Sequence, residues 1–315
     1  MPVNTLHGRD VLTLADLTPD EVRLVLDRAV AHKRMWRQAA GGRPSHGGKY
    51  AAIIMLKPSL RTRVSFEVAC RNLGIEPVIL GPGDAFSRSE TVHDTVKVLD
   101  RFVDLIVLRT FEQSHVEQVA EHAEAPVINA LTDDHHPCQG LADLLTIEEH
   151  LERLAGVRFV YVGDGNNMAN TYLLAGALTG MHVTVASPLG YQPDPGVVAQ
   201  AISLTERHGT GAQIAVVADP RDAACGADVI ATDTWASMGQ EAEHAARVAA
   251  FAGFTVDDEM MALAAPDALF MHCLPAHRGE EVTDSVIDSA ESVVFDEAEN
   301  RLWAQQALIS LLMER

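Results

Sequence analysis

The sequence predicts an α/β protein of two domains, each a parallel sheet with helices on both faces, with a C-terminal helix returning to the first domain. Two observations carry that expectation. Short apolar runs alternate with helical segments along nearly the whole chain, and such runs suit parallel strands buried on both sides. The 315 residues, 47% of them hydrophobic, also supply material for about two cores at roughly 100–200 residues per domain. A disordered chain is excluded by the same figures.

The elements follow in order. Thr18-Pro19-Asp20-Glu21 has capping-box spacing with Pro at the first helical position, and Val22, Val25, Leu26, Ala29 and Val30 form an apolar face, so an amphipathic helix begins there. Gly41 to Gly48 collects helix breakers and reads as a loop. Strands are predicted at Ala51–Leu56, Pro77–Leu80, Leu105–Leu108 and Pro126–Ala130, separated by a helix to Gly74 and helices around Thr91–Phe102 and Ser114–His122. A further helix is predicted over Ala142–Leu154. The alternation restarts at Arg158–Val162 and continues through His182–Ala186, Gln213–Val217, Asp228–Ala231 and Ala268–His272. Val293–Phe295 is a last short apolar run before a closing amphipathic helix, Ala298–Met313. The expected division is 1–147 and 148–297, with 298–315 packing back on the first part.

Charge and composition narrow the function. With 24 basic against 44 acidic residues, a formal −20, nucleic acid and anionic membrane surfaces are repelled. No run approaches the roughly 20 apolar residues of a membrane span, and Met1 to Trp36 lacks an apolar secretory core, so a soluble cytoplasmic protein is expected. Cys70, Cys138, Cys225 and Cys273 lie far apart without a CxxC pair, which suits reduced thiols, most of them small buried hydrophobes.

Five segments carry candidate chemistry. Lys57-Pro58-Ser59-Leu60-Arg61-Thr62-Arg63 follows a strand and opens a helix, so free backbone N–H groups, two hydroxyls and two guanidiniums gather at a helix N-terminus. In so acidic a chain that cluster favours a phosphate site over a solvated basic turn. His135-His136-Pro137-Cys138-Gln139 sits between strand and helix; His136 reads either as a hydrogen-bond donor to substrate or as part of a capping turn, and no metal-ligand spacing accompanies it. Gly163-Asp164-Gly165-Asn166-Asn167 lacks the third glycine and the ribose-binding acid of a dinucleotide loop. It suits a small polar ligand or simple capping by Asn166. Asp233 to Glu241 reads as a mobile lid with exposed Trp235 and Met238, or as an ordinary connection with both in the core. Met271 to Glu281 puts Cys273 at a strand end, either as a nucleophile beside His272 or His277 or as a packed, substrate-contacting thiol.

Taken together, these segments resemble the transcarbamoylase family, on its ornithine-using branch. The likeness runs in order through Ser59–Arg63 with Val64-Ser65-Phe66-Glu67, Arg109, His136-Pro137-Cys138-Gln139, Gly163–Asn167, Asp233–Gln240, His272–Glu281 and Glu297-Ala298-Glu299-Asn300-Arg301. The resemblance implies that the first domain binds carbamoyl phosphate and the second ornithine, giving citrulline and phosphate in arginine biosynthesis. By the same likeness, Ser59, Leu60 through its backbone, Arg61 and Thr62 hold the phosphate. Thr62, Arg109 and His136 polarise the carbamoyl oxygen, and Gln139, the Cys273 and Leu274 main chain and Arg301 complete that site. Asn167, Asp233, Ser237 and Met238 bind ornithine; Arg109, His136, Asp233 and Cys273 are the implied catalytic set, with Cys273 forming no covalent intermediate.

Acyl transfer to an amine needs neither metal nor organic cofactor, and none is expected. The resemblance further implies a homotrimer or a multiple of trimers. Two positions depart from the family pattern: Leu60 stands where Thr is common, and Ala85 where a polar side chain reaches a neighbouring subunit's site, a role that Arg88 is then expected to take. Other readings of the sequence are a relative using putrescine or aspartate, a noncatalytic paralogue that binds carbamoyl phosphate or partner subunits, and a nicotinamide-dependent oxidoreductase.

Overall fold

A computed structural model describes residues 4–38, 46–86, 90–236 and 243–314. Among them the chain separates into two compact units, residues 1–145 with 299–315, and residues 146–298. The division falls inside two helices, α5 (Pro137–Leu151) and α12 (Val294–Met313).

The first unit holds α1 (Pro19–Arg37), β1 (Lys49–Met55), α2 (Leu60–Asn72), β2 (Ile75–Leu80), α3 (Val92–Leu99), β3 (Leu105–Arg109), α4 (Gln113–His122) and β4 (Val127–Leu131). Its four strands are all parallel in the order β2-β1-β3-β4. β3 and β4 are buried at every residue, as their mostly apolar sequences suit, with Arg109 and Asn129 the polar exceptions, while the edge strand β2 buries Ile75 and Pro77 and exposes Glu76 and Val78. Ala52, Ile54, Ile106, Leu108 and Val127 of the sheet pack with Val96, Val116 and Val119 from the helices. The capping box of α1 is formed, with Glu21 N–H donating to Thr18 Oγ1 at 3.3 Å and Thr18 N–H to Glu21 Oε2 at 2.9 Å. The last helix belongs to this unit over its final turns: Lys33 Nζ donates to Asn300 Oδ1 at 2.7 Å and Asn72 Nδ2 to Gln306 Oε1 at 3.0 Å.

The second unit runs through β5 (Arg158–Val162), α6 (Asn167–Thr179), β6 (His182–Ala186), α7 (Pro195–His208), β7 (Ile214–Val217), α8 (Pro220–Ala224), β8 (Val229–Thr232), α9 (His244–Ala250), α10 (Asp258–Met261), β9 (Leu269–His272) and α11 (Asp284–Ile287). Its five strands are again all parallel, in the order β7-β6-β5-β8-β9. Each unit is therefore a parallel sheet flanked by helices. No helix among the described residues is long and apolar enough to cross a membrane.

Two expectations need correction, and one left open is decided. The apolar run Val293–Phe295 is helix entry and not a separate element, because Val293 and Val294 are buried, Val294 within the core around Phe270, and α12 starts at Val294. Trp235 is core and not lid: it is buried and stacks on Phe251 at a centroid distance of 5.4 Å. Of the four free cysteines, Cys70 and Cys138 are buried, with burial pushing each thiol up to about 12, whereas Cys225 is exposed and Cys273 half-buried.

Strand order reverses between β1 and β3 in the first sheet and between β5 and β8 in the second. In open parallel sheets the loops leaving the strand ends diverge at such a reversal, and ligands bind there. The loops at these two positions are Leu56–Ser59 with Arg109, and Gly163–Asn166 with Asp233.

Candidate functional site

In the first unit, Ser59 caps α2 in an extended conformation, its Oγ accepting from Thr62 N–H at 3.3 Å. The cap leaves the remaining first-turn N–H groups at the positive end of the helix, beside two guanidiniums from distant parts of the chain. Arg301 Nη2 donates to the fully buried Thr62 Oγ1 at 2.7 Å, and Arg109 Nη1 reaches the same oxygen at 3.4 Å. Arg109 is aimed by its Nε, which donates to the Lys57 carbonyl at 3.0 Å. Arg301 Nη1 donates to Gln139 Oε1 at 3.0 Å, and Gln139 Nε2 donates to Asp143 Oδ1 at 2.8 Å. A carboxylate only accepts, so Asp143 fixes which end of the Gln139 amide faces Arg301.

Lys57, 5% exposed at its side chain, adds a third cation; Nζ donates to Asp133 at 2.8 Å and lies 5.2 Å from the Phe111 ring centre. His136 is buried beside this cluster. Burial, followed by the charges of Arg301, Arg109 and Lys57, holds its pKa well below the usual histidine value. The ring is neutral at pH 7, so it offers an N–H without carrying another positive charge. Arg61 is half-buried with its Nε lacking a hydrogen-bond partner, and Leu60 is 76% exposed. The arrangement is built for an anion: helix N–H groups, hydroxyls and guanidiniums at one sheet reversal.

In the second unit, Gly165 is demanded by the loop that precedes α6, since a Cβ there would lie 2.2 Å from the Pro193 backbone nitrogen. Asn166 caps α6, accepting from Met168 N–H at 2.9 Å and from the Tyr161 hydroxyl at 3.3 Å, while its Nδ2 donates to Asp233 Oδ2 at 3.2 Å. The other oxygen of Asp233 accepts from Thr234 N–H at 2.7 Å and from the Cys273 thiol at 3.2 Å. Asp233 is thus a buried carboxylate held on three sides. Asn167, first residue of α6, is buried next to Asn166.

The Cys273 thiol is engaged by a carboxylate, donating to Asp233 Oδ1 at 3.2 Å, which favours the substrate-contacting reading over the nucleophile. His272 turns both ring nitrogens elsewhere: Nδ1 accepts from Leu274 N–H at 2.8 Å, so Nε2 carries the proton and donates to Glu281 Oε1 at 3.1 Å. His272 N–H donates to Glu297 at 2.9 Å. Leu274 adopts a left-handed conformation, φ 56°, a backbone geometry fixed in part by that histidine. Asp233, His272 and Cys273 each offer a ligand atom within 4.8 Å of the others, but the engagement of both His272 nitrogens makes this a hydrogen-bonded array first.

The structure thus gathers Thr62, Arg109, Gln139 and Arg301 in the first unit, and Asp233 with Cys273 in the second. Cys273 and Leu274, expected beside carbamoyl phosphate, belong to the second unit. Ser237, Met238 and Arg88 lie outside the described residues, and Ala85 is buried. Sequence reasoning passed over Asp143, Tyr161, Glu281 and Arg247. Only Asp143 carries a local signal, four residues after Gln139 on one helix face.

Arg247 closes the ends of the connection that contains Ser237. Its Nη1 donates to Asp164 Oδ2 at 2.7 Å and to the Trp235 carbonyl at 2.9 Å, and its Nε to Glu243 at 3.2 Å. The guanidinium also lies 5.1 Å over the Tyr191 ring.

Two family models match the chain in succession. Residues 9–149 match the family model described as the carbamoyl-P binding domain of aspartate/ornithine carbamoyltransferase, and residues 155–312 match its Asp/Orn binding domain. The ornithine carbamoyltransferase of Acidothermus cellulolyticus is 54% identical over 307 residues, covering 97% of each chain. That of Symbiobacterium thermophilum is 50% identical over 312 residues, 99% of this chain and 100% of the relative. Among solved structures, the ornithine carbamoyltransferase from Pyrococcus furiosus superimposes with a TM-score of 0.95 at 48% identity, covering 99% of both chains.

Proposed function

This chain belongs to the aspartate/ornithine carbamoyltransferase family, and from that premise we propose that it transfers the carbamoyl group of carbamoyl phosphate to the side-chain amine of L-ornithine. The products are L-citrulline and phosphate. The observation that carries the reading is the Thr62 hydroxyl, buried at the head of α2 and reached by both Arg109 and Arg301.

In this reading residues 1–147 bind carbamoyl phosphate and 148–297 bind ornithine. Ser59 and Thr62 hydroxyls, the Leu60 N–H and Arg61 hold the phosphate, whose charge the helix end also stabilises. Thr62, Arg109 and neutral His136 donate to the carbamoyl oxygen, where negative charge grows as the amine attacks. Gln139, Arg301 and the Cys273 and Leu274 main chain hold the rest of the carbamoyl group. Asn167, Asp233, Ser237 and Met238 bind ornithine.

An alkyl amine has a pKa near ~10.4, so the attacking form is a minority at neutral pH. Asp233 and the Cys273 thiol orient the nitrogen while exclusion of water favours its neutral state. A nitrogen–carbon bond then forms, the bond from carbon to the phosphate oxygen breaks, and one amine proton is released. Family likeness supports the remaining parts of the proposal: a homotrimer in which Arg88 reaches a neighbouring site, cytoplasmic residence, and a place in arginine biosynthesis.

The test compares acceptors. Purified protein with carbamoyl phosphate is expected to make citrulline from ornithine, with putrescine and aspartate slower by several orders of magnitude, because each leaves polar groups of the amino-acid site unpaired. Equal or faster carbamoylation of aspartate would overturn the choice of amine.

A further inference from the structure

We infer that Asn166 is a positioning residue for the acceptor amine: beyond capping α6, its side-chain N–H holds the Asp233 carboxylate in the orientation that meets ornithine. The inference rests on the reading of Asp233 as an ornithine ligand. Asn166 ends the loop after β5, and Asp233 follows β8, the neighbouring strand at the reversal of the second sheet. Asn166 Nδ2 donates to Asp233 Oδ2 at 3.2 Å and so bridges the two strand ends.

The direction of that bond is fixed from the other end of the amide. Asn166 Oδ1 accepts from Met168 N–H at 2.9 Å, from Ala169 N–H at 3.4 Å and from the buried Tyr161 hydroxyl at 3.3 Å. Backbone N–H groups only donate, so the oxygen faces them and the NH2 group is left to face the carboxylate. Capping alone does not require this residue, since Ser and Asp serve a helix N-terminus about as well. Among the good caps, Asn alone carries its acceptor and its donor on different atoms.

A neutral donor also suits what the carboxylate does. Asp233 is buried and lies near a like charge, Asp164, which is itself paired with Arg247 at 2.7 Å. Its Oδ1 accepts from Thr234 N–H at 2.7 Å and from the Cys273 thiol at 3.2 Å, and its Oδ2 from Asn166. These donors are uncharged, so they fix the carboxylate without cancelling the negative charge that draws an amine. A guanidinium or ammonium in the place of the Asn166 amide would neutralise it.

The test separates the cap from the positioning role by comparing Asn166→Ser with Asn166→Ala in the full chain, through melting temperature and steady-state KM for both substrates. Ser keeps the cap and Ala does not, so Asn166→Ser is expected to melt about 2–4 °C above Asn166→Ala. Both lose the bond to Asp233, and loss of a hydrogen bond to a charged group is expected to raise the ornithine KM at least about tenfold in the two variants alike. The KM for carbamoyl phosphate stays at the parent value in both. An ornithine KM that rises only in Asn166→Ala marks a cap and nothing more, and equal rises for the two substrates mark a general disturbance; either result overturns the inference while leaving the reaction as read. Parent protein that makes no citrulline overturns the reading of Asp233 and the inference together.

Discussion

Replacing Arg247 with Met tests how the second unit holds its ligand-facing loops. Arg247 is 8% exposed and its main partner Asp164 equally buried, so the substitution strands a carboxylate away from water and leaves the Trp235 carbonyl without its donor. Breaking a buried ion pair from one side costs about 3–5 kcal/mol. The Glu243 contact, with that carboxylate 63% exposed, adds only a few tenths. At roughly 2–4 °C per kcal/mol for a unit of this size, the melting temperature falls by about 6–20 °C.

The deficit depends on pH with a defined sign. Burial, with Asp233 nearby, holds the Asp164 pKa above the usual carboxylate value even against Arg247. Loss of the guanidinium raises it further. A carboxyl group whose folded pKa is raised is most stabilising when protonated, below its unfolded pKa, and that contribution is lost as pH rises through the folded value. The R247M deficit is therefore larger at pH 8 than at pH 5. The assay is calorimetric melting at both pH values, with steady-state KM for each substrate. Asp164→Asn in the same background is expected to recover most of the loss, and the KM change is expected to fall on ornithine and not on carbamoyl phosphate. A loss under about 1 kcal/mol, or a double variant no more stable than R247M, refutes the reasoning.

Three further outcomes are expected. Asp143→Asn removes the group that orients Gln139, and carbamoyl phosphate affinity should drop about 10–100-fold, the equivalent of a charge-assisted hydrogen bond, while inorganic phosphate binding measured by calorimetry stays within a factor of two or so; equal losses for both ligands contradict an orienting role. Leu60→Thr restores a hydroxyl at an exposed position and should tighten carbamoyl phosphate binding by roughly 2–10-fold without lowering the melting temperature; unchanged affinity removes Leu60 from the phosphate site. His32, lowered to about 4 by burial and then by Arg28, and His136, held well below the usual histidine value chiefly by burial, are neutral when folded but protonate near pH 6.5 when unfolded. Stability contributed by such groups is present above pH 6.5 and lost as pH falls, about 2 kcal/mol from His32 by pH 5. A His32→Gln variant should show a shallower fall in melting temperature over pH 6.5–4.5, and an unaltered slope is the contrary result.

The sheets were legible because their evidence is local. Apolar runs such as Leu105–Arg109 and Val127–Leu131 are buried at every residue, and the caps at Thr18, Ser59 and Asn166 bond within three residues of themselves. Helix α6 was harder: it is buried on every side from Asn167 to Leu178, so it has no polar face to set a period. The ligand-facing loops were located by composition, but their internal wiring was not. Arg301 meets Thr62 across 239 positions and Asp233 meets Cys273 across 40, and neither separation leaves a periodic trace. The two readings of Trp235 stayed open for a similar reason, since the stacking partner that decides for the core, Phe251, lies beyond the loop itself. His272 shows the limit most clearly: the HCLP segment put an imidazole beside Cys273, and only the Leu274 and Glu281 hydrogen bonds reveal that the ring serves the backbone.

Crystals soaked with carbamoyl phosphate test the central claim most directly. The account predicts the phosphorus at the N-terminus of α2, with Ser59, Arg61 and Thr62 around it and the carbamoyl oxygen facing Arg109 and His136. Density for the compound at any other position, with these groups unengaged, would contradict it.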